Sequence, residues 1–177
     1  PEMDKRALDR MTRKIYVNFG KYLIDFFRFS KIDKAYIDKY VKLEGFENLQ
    51  GSLKDGKGVI ALSAHIGNWE LGAVVLAILG VPLSVVALDH RHSKVNDFFI
   101  NQRRMKGVGV IPIGAALRRC FTAFKENQVV ALVGDRDYFD NGIEVRFFGK
   151  PTILPKGPAV FSRRFNAPMV PIFMIRN

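Results

Sequence analysis

Residues 58–88 read GVIALSAHIGNWELGAVVLAILGVPLSVVAL, and this stretch decides the fold. The continuous apolar run Val59-Ile60-Ala61-Leu62 suits a strand buried on both faces. The 18 uncharged residues from Leu71 to Leu88 just reach the length of a membrane-span candidate. Gly80 and Pro82 break that run into a helix of about Trp69 to Leu79 and a strand of about Leu83 to Leu88. Proline removes a backbone donor and disfavours helix in the residue before it. The segment is therefore strand, helix, strand.

The alternation continues toward the C-terminus, with a helix over Lys94–Lys106, a strand over Val108–Pro112, a helix over Ala115–Asn127 and a strand over Val129–Val133. A polar loop, Gly134–Gly142, carries the turn signal Asp140-Asn141-Gly142. A short strand over Glu144–Phe148, a Gly/Pro-punctuated stretch from Gly149 to Pro158, a helix over Ala159–Asn166 and a strand over Met169–Ile175 complete the pattern. Toward the N-terminus, Leu8, Met11, Ile15, Phe19, Tyr22, Phe26 and Phe29 recur at three- and four-residue intervals and predict a helix from Lys5 to about Phe29. Arg6, Arg10, Arg13, Lys14 and Lys21 fill much of its remaining surface. Such a helix fits packing on its own domain and also a membrane interface. A second helix is expected over Asp33–Leu43, then a turn-rich stretch from Glu47 to Gly58. The expected fold class is α/β, a largely parallel sheet flanked by helices, in one domain: helices over 1–45 and a core over 58–177.

The chain's 177 residues suit one such domain, and 48% hydrophobic with 25% charged residues exclude a disordered chain or a disulfide scaffold. A single cysteine, Cys120, permits no internal disulfide. The chain starts at Pro1 rather than Met and stops after a predicted core strand, which reads as part of a longer protein. The net charge of +11 is concentrated in two blocks: residues 1–42 carry 11 basic and 6 acidic groups, and residues 90–125 carry 8 and 1. Fields of this sign attract phosphate-bearing partners, whether nucleic acid, an anionic membrane or a phosphorylated substrate.

His65 and Glu70 are the sharpest candidates for chemistry. On a regular helix five residues rotate side chains by roughly 140° onto different faces. The pair can cooperate only if His65 sits in the strand-to-helix turn, where Gly67 gives backbone freedom and Asn68 can cap the helix. Such turns open at the carboxyl ends of the strands, where ligand crevices form. A helix N-terminus favours the neutral imidazole, and a carboxylate fixes its tautomer; together they describe a general base.

The run His65-Ile66-Gly67-Asn68-Trp69-Glu70 resembles the His-x4-Asp/Glu motif of the lysophospholipid acyltransferase superfamily, in the form typical of the late acyltransferases of lipid A biosynthesis. Arg91 with Asn96 and Arg103 resembles that family's second block, and Gly134-Asp135-Arg136-Asp137-Tyr138, followed by Phe147-Phe148-Gly149, resembles a later one. Pro155-x-Gly157-Pro158-Ala159 and Ala167-Pro168-Met169-Val170-Pro171 resemble the final blocks. The resemblance implies transfer of a fatty acyl group from a thioester of acyl carrier protein or coenzyme A to a hydroxyl of a glycolipid, with a lipid A precursor as the expected acceptor. A phosphatidylinositol mannoside or another lysolipid is the alternative. It implies His65 as general base, Glu70 as its orienting partner, and no covalent acyl-enzyme, in keeping with the absence of a Gly-x-Ser-x-Gly elbow around Ser63.

Arg91, Asn96, Arg103, Asp135 and Arg164 are the expected substrate-binding residues, Arg91 and Arg103 as phosphate contacts and Asp135 as the anchor of the active-site loop. No metal or other cofactor is expected: Phe139 breaks the calcium-loop pattern after Asp135 and Asp137, and His90 and His92 lack further ligands nearby. Trp69 and the phenylalanines are core or acyl-groove residues. Cys120, between Arg119 and Phe121, reads as a packed thiol. The N-terminal hydrophobic anchor usual in the family is not among these residues, so attachment at the cytoplasmic face of a bacterial inner membrane is expected through the basic, Phe-rich helix or through a segment of the longer protein. Nucleic acid is not an expected partner. A non-catalytic nucleic-acid or anionic-membrane binding module would account for the charge but not for His65 and Glu70 among mostly uncharged neighbours.

Overall fold

The computed structural model describes residues 3–138 and 140–176. Phe139, the residue that breaks the calcium-loop pattern, lies outside them, as do Pro1, Glu2 and Asn177. In chain order the structure runs through α1 (Lys5–Phe27), a 3-10 turn (Phe29–Lys31), α2 (Lys34–Tyr40), α3 (Phe46–Leu53), β1 (Val59–Ser63), α4 (Trp69–Ile78), β2 (Leu83–Ala87) and α5 (Ser93–Arg104). It continues with β3 (Gly109–Pro112), a second 3-10 turn (Ile113–Ala115), α6 (Ala116–Lys125), β4 (Val129–Val133), β5 (Ile143–Phe147), β6 (Lys150–Leu154), α7 (Gly157–Phe165) and β7 (Met169–Pro171).

Five strands form one parallel sheet in the order β3-β2-β4-β1-β7, as the alternating pattern requires. Both faces are covered. On one, Val59, Ala61 and Val129 join Leu71, Val74 and Val75 of α4 and Phe26, Phe29 and Leu49 from the N-terminal helices. On the other, Ile60, Val130 and Leu132 meet Cys120, Ala123 and Phe124 of α6, with Phe161 and Phe165 of α7 packed alongside. Successive strand residues thus alternate between two apolar layers, which is why β1 and β4 carry almost no polar residue.

Two expectations about the connections are corrected. The stretch from Glu47 was expected to be turn, yet α3 occupies its first part. Phe46, Leu49 and Leu53 fall at i, i+3 and i+7 and pack against the core, and that burial outweighs the poor helix propensity of Gly51 and Ser52. The Gly/Pro-punctuated stretch after Phe148 contains β6, which pairs antiparallel with β5 in a separate hairpin. Its two-residue turn is Phe148-Gly149, with φ of 49° and 77°, the positive angles of a type I′ turn. Asparagine normally signals such a turn, and phenylalanine hid it. The last strand is also shorter than expected, ending at Pro171, with an isolated bridge between Gly67 and Met174 beyond it.

The N-terminal helix starts at Lys5 as expected and ends at Phe27, with Phe29 in the 3-10 turn that follows, and the stripe is only partly buried. Tyr22, Phe26 and Phe29 are in the core, whereas Leu8, Met11, Ile15 and Phe19 are exposed. Among the described residues no helix is long and apolar enough to cross a membrane.

Cys120 is fully buried, and that burial pushes its thiol up to about 11. The neighbouring Arg119 does not activate it. The folded chain is therefore expected to resist iodoacetamide at pH 8, where the thiol stays protonated, and to be alkylated at one site once urea unfolds it. Rapid labelling of the folded chain, read by mass spectrometry, would contradict this packing.

Candidate active site

Parallel register creates the site. Ser63 and Val133 are partners at the ends of β1 and β4, and the Gly134 N–H donates to the Ser63 carbonyl at 2.9 Å. His65 and Asp135 each lie two residues beyond that last pair, so the two loops deliver them side by side. The Asp135 carboxylate accepts the His65 backbone N–H at 3.0 Å through one oxygen and lies 2.8 Å from the ring Nδ1 through the other. An ionised carboxylate can only accept, so Nδ1 carries a proton, and in the neutral ring Nε2 then keeps its lone pair.

The turn holding His65 is fixed on its other side by the segment after β7. The Asn68 N–H donates to the Met174 carbonyl at 2.9 Å, and Gly67 sits at φ 64°. A Cβ on Gly67 would lie 1.9 Å from the Met174 oxygen, so only glycine fits. Asn68 caps α4 by accepting the Leu71 N–H at 3.0 Å, as its place in the sequence predicts, while its amide donates to Asp25 of α1 at 2.9 Å. Asp25 also pairs with Arg176. Rings continue the support: Trp69 meets His65 edge-on at 4.7 Å between centroids, and Tyr22 stacks on Trp69 at 4.8 Å.

Glu70 has a different partner from the expected one. Its carboxylate takes two hydrogen bonds from Arg103, 2.9 Å from Nε and 2.5 Å from a terminal nitrogen, in a fork with side chains only 8% and 10% exposed. One expectation is thereby corrected. The group bonded to the His65 ring is Asp135 and not Glu70, while the Arg103 guanidinium, at the lining of the cavity, is held by Glu70. The physical reason is reach: Glu70, inside the first turn of α4, faces the buried end of α5, while Asp135 arrives from the neighbouring strand. Burial works against the Arg103 charge, but the bonds and field of Glu70 outweigh it and raise its pKa. Burial, then the nearby Glu70 carboxylate, push the Tyr22 phenol above its usual range, so it remains a neutral hydroxyl.

A cavity of about 830 Å³ opens at His65. That size fits a small-molecule or lipid-chain site. Its walls are mostly apolar, including Ala73 and Leu76 of α4, Leu83 and Val85 of β2, and Phe161 of α7. Arg91, Arg136 and Lys156 add cationic groups to its lining. Of the expected substrate-binding residues, Arg91 and Arg103 are thus at the cavity, Arg103 with its guanidinium held by Glu70. The Asn96 side chain instead accepts the His90 backbone N–H at 3.0 Å and shapes the loop before α5. Arg164 is exposed in the last turn of α7, outside the cavity lining. Asp137 accepts the Gly142 N–H at 2.7 Å, so the two aspartates of the loop serve separate tasks. Arg136 and Lys156, and Tyr22 from α1, were missed as lining residues, since only the folded chain brings them to the rim.

The chain matches the family described as bacterial lipid A biosynthesis acyltransferase over residues 1–177. It is 29% identical over 160 residues to a phosphatidylinositol mannoside acyltransferase of Mycobacterium tuberculosis (strain ATCC 25618 / H37Rv), an alignment covering 87% of this chain and 51% of that protein. It is 26% identical over 168 residues to the protein of the same name from Mycolicibacterium smegmatis, covering 93% of this chain and 55% of that one. The chain spans about half the length of the curated relatives it matches. It belongs to the bacterial lipid A biosynthesis acyltransferase family.

The buried fork sets an expected stability result. Arg103→Ala leaves the Glu70 carboxylate buried without a partner and should cost about 3–5 kcal/mol in urea unfolding. Adding Glu70→Ala should recover part of that loss. A loss below about 1 kcal/mol, as for an exposed pair, would contradict the fork.

Proposed function

We propose that this member of the lipid A biosynthesis acyltransferase family transfers a fatty acyl group from a thioester to a hydroxyl of a glycolipid. The observation that carries the reading is the His65 ring, with Nδ1 held 2.8 Å from Asp135, at an apolar cavity of about 830 Å³. Nε2 takes the proton of the acceptor hydroxyl as its oxygen attacks the thioester carbonyl. The C–S bond then breaks, and the imidazolium returns the proton to the departing sulfur. Asp135 holds the tautomer and stabilises the transient imidazolium, a contribution typically of about 10²–10⁴ in rate for general acid–base catalysis.

The names of the relatives support a phosphatidylinositol mannoside as acceptor ahead of the lipid A precursor. Arg91, Arg136 and Lys156 at the cavity suit a phosphate on the acceptor or on the donor arm, acyl carrier protein or coenzyme A. The exposed Leu8, Met11, Ile15 and Phe19, interspersed with Arg6, Arg10, Arg13 and Lys14, suit α1 for an anionic membrane surface. The setting we infer is the cytoplasmic face of a bacterial inner membrane. A non-catalytic nucleic-acid binder would need neither the apolar cavity nor the histidine held beside it.

The test is incubation with an acyl carrier protein or coenzyme A thioester and, in parallel, a phosphatidylinositol mannoside or a lipid A precursor. A product heavier by one acyl chain is expected with the mannoside. His65→Ala and Asp135→Asn should lower its rate by about 10²–10⁴ while leaving the unfolding midpoint nearly unchanged. Product from the lipid A precursor alone would reverse the acceptor assignment. Wild-type turnover in His65→Ala would overturn the mechanism.

A further inference from the structure

The β5–β6 hairpin presents a surface outside the cavity lining. Phe148 is 91% exposed, and Phe147 beside it is also exposed, their rings 4.5 Å apart between centroids. Phe148 holds φ at 49°, a conformation that costs a bulky side chain free energy and that asparagine or glycine adopts readily. An aromatic group there is disfavoured by water and by backbone alike, so the position has something to gain elsewhere. Arg146 and Lys150 flank the pair, and Phe147 is cross-strand partner of Lys150, which places ring and ammonium on one face.

The hairpin rises from the edge of the cavity. Asn141, just before β5, and Pro155, just after β6, both line it. The base is clamped, since the Gly142 N–H is bound by Asp137 at 2.7 Å and Gly142 leaves no room for a Cβ beside the Leu154 carbonyl. Five residues per strand carry the tip about 17 Å from this base.

We propose that Phe147 and Phe148 enter the headgroup region of an anionic lipid bilayer, with Arg146 and Lys150 on its phosphates. Charge decides between this occupant and a second copy of the chain. Two tips packed on each other would bring their own arginines and lysines together, whereas lipid phosphates neutralise them while the rings leave water. The docked hairpin sets the cavity edge at the membrane surface. The inference concerns binding alone and stands whether or not acyl transfer is the reaction.

The experiment uses the full chain with vesicles of phosphatidylcholine, alone or mixed with phosphatidylglycerol, and no substrate. Phe148→Trp is expected to shift its emission to the blue on mixed vesicles and to be quenched by brominated lipid, beyond the Trp69 baseline of the parent chain. Phe148→Asn fits the turn, keeps the hairpin folded and should weaken vesicle partition about tenfold or more. Arg146→Ser with Lys150→Ser should abolish the preference for phosphatidylglycerol. Absence of quenching at position 148, emission already blue-shifted in buffer, or self-association that Phe148→Asn removes would each overturn the proposal.

Discussion

The contact on which the site depends is the double grip of Asp135 on residue 65, one oxygen on the backbone N–H and the other on the ring. It fixes the loop and the tautomer together, and it exists because β1 and β4 are neighbours in parallel register. A one-residue slip of either strand would turn its alternating apolar residues to the wrong layer and separate the histidine from its carboxylate. The packing of the sheet and the placement of the base are therefore one constraint.

The buried fork of Glu70 and Arg103 ties together the helices beside that contact. It joins the first turn of α4 to the last turn of α5, and both residues line the cavity that opens at His65. From α1 come the second and third supports, Asp25 on Asn68 and Tyr22 on Trp69. The N-terminal helix is thus part of the site's wall at its C-terminal end and an exposed basic, apolar rod at the other. One element spans the distance between a candidate membrane surface and the ring stack against His65.

Much of this was legible in the sequence because it is written in local signals. The apolar run at Val59, the break at Gly80 and Pro82, and the cap at Asn68 are each decided by neighbours in the chain. His65 does lie in the strand-to-helix turn, where Gly67 and the Asn68 cap place it, although the pairing with Glu70 from which that position was argued does not form. What the chain did not reveal is pairing over distance. Asp135 lies 70 residues from His65, and nothing near either residue states that their strands are neighbours. The motif's own carboxylate, close in sequence, was the natural but mistaken choice of partner. The pairing of Arg103 with Glu70 was hidden for a related reason, because an arginine's partner depends on burial that helix periodicity does not resolve. In α3 and at Phe148 the local signals were present but weak, a helix rich in poor formers and a tight turn without its usual residue.

The most direct test of the account is the tautomer of His65, read by nitrogen NMR of the labelled chain at a pH where the ring is neutral. The expected result is a ring protonated at Nδ1 with an acceptor-type Nε2, a pattern lost in Asp135→Ala and retained in Glu70→Gln. A proton on Nε2, or a tautomer that follows Glu70 and ignores Asp135, would contradict it.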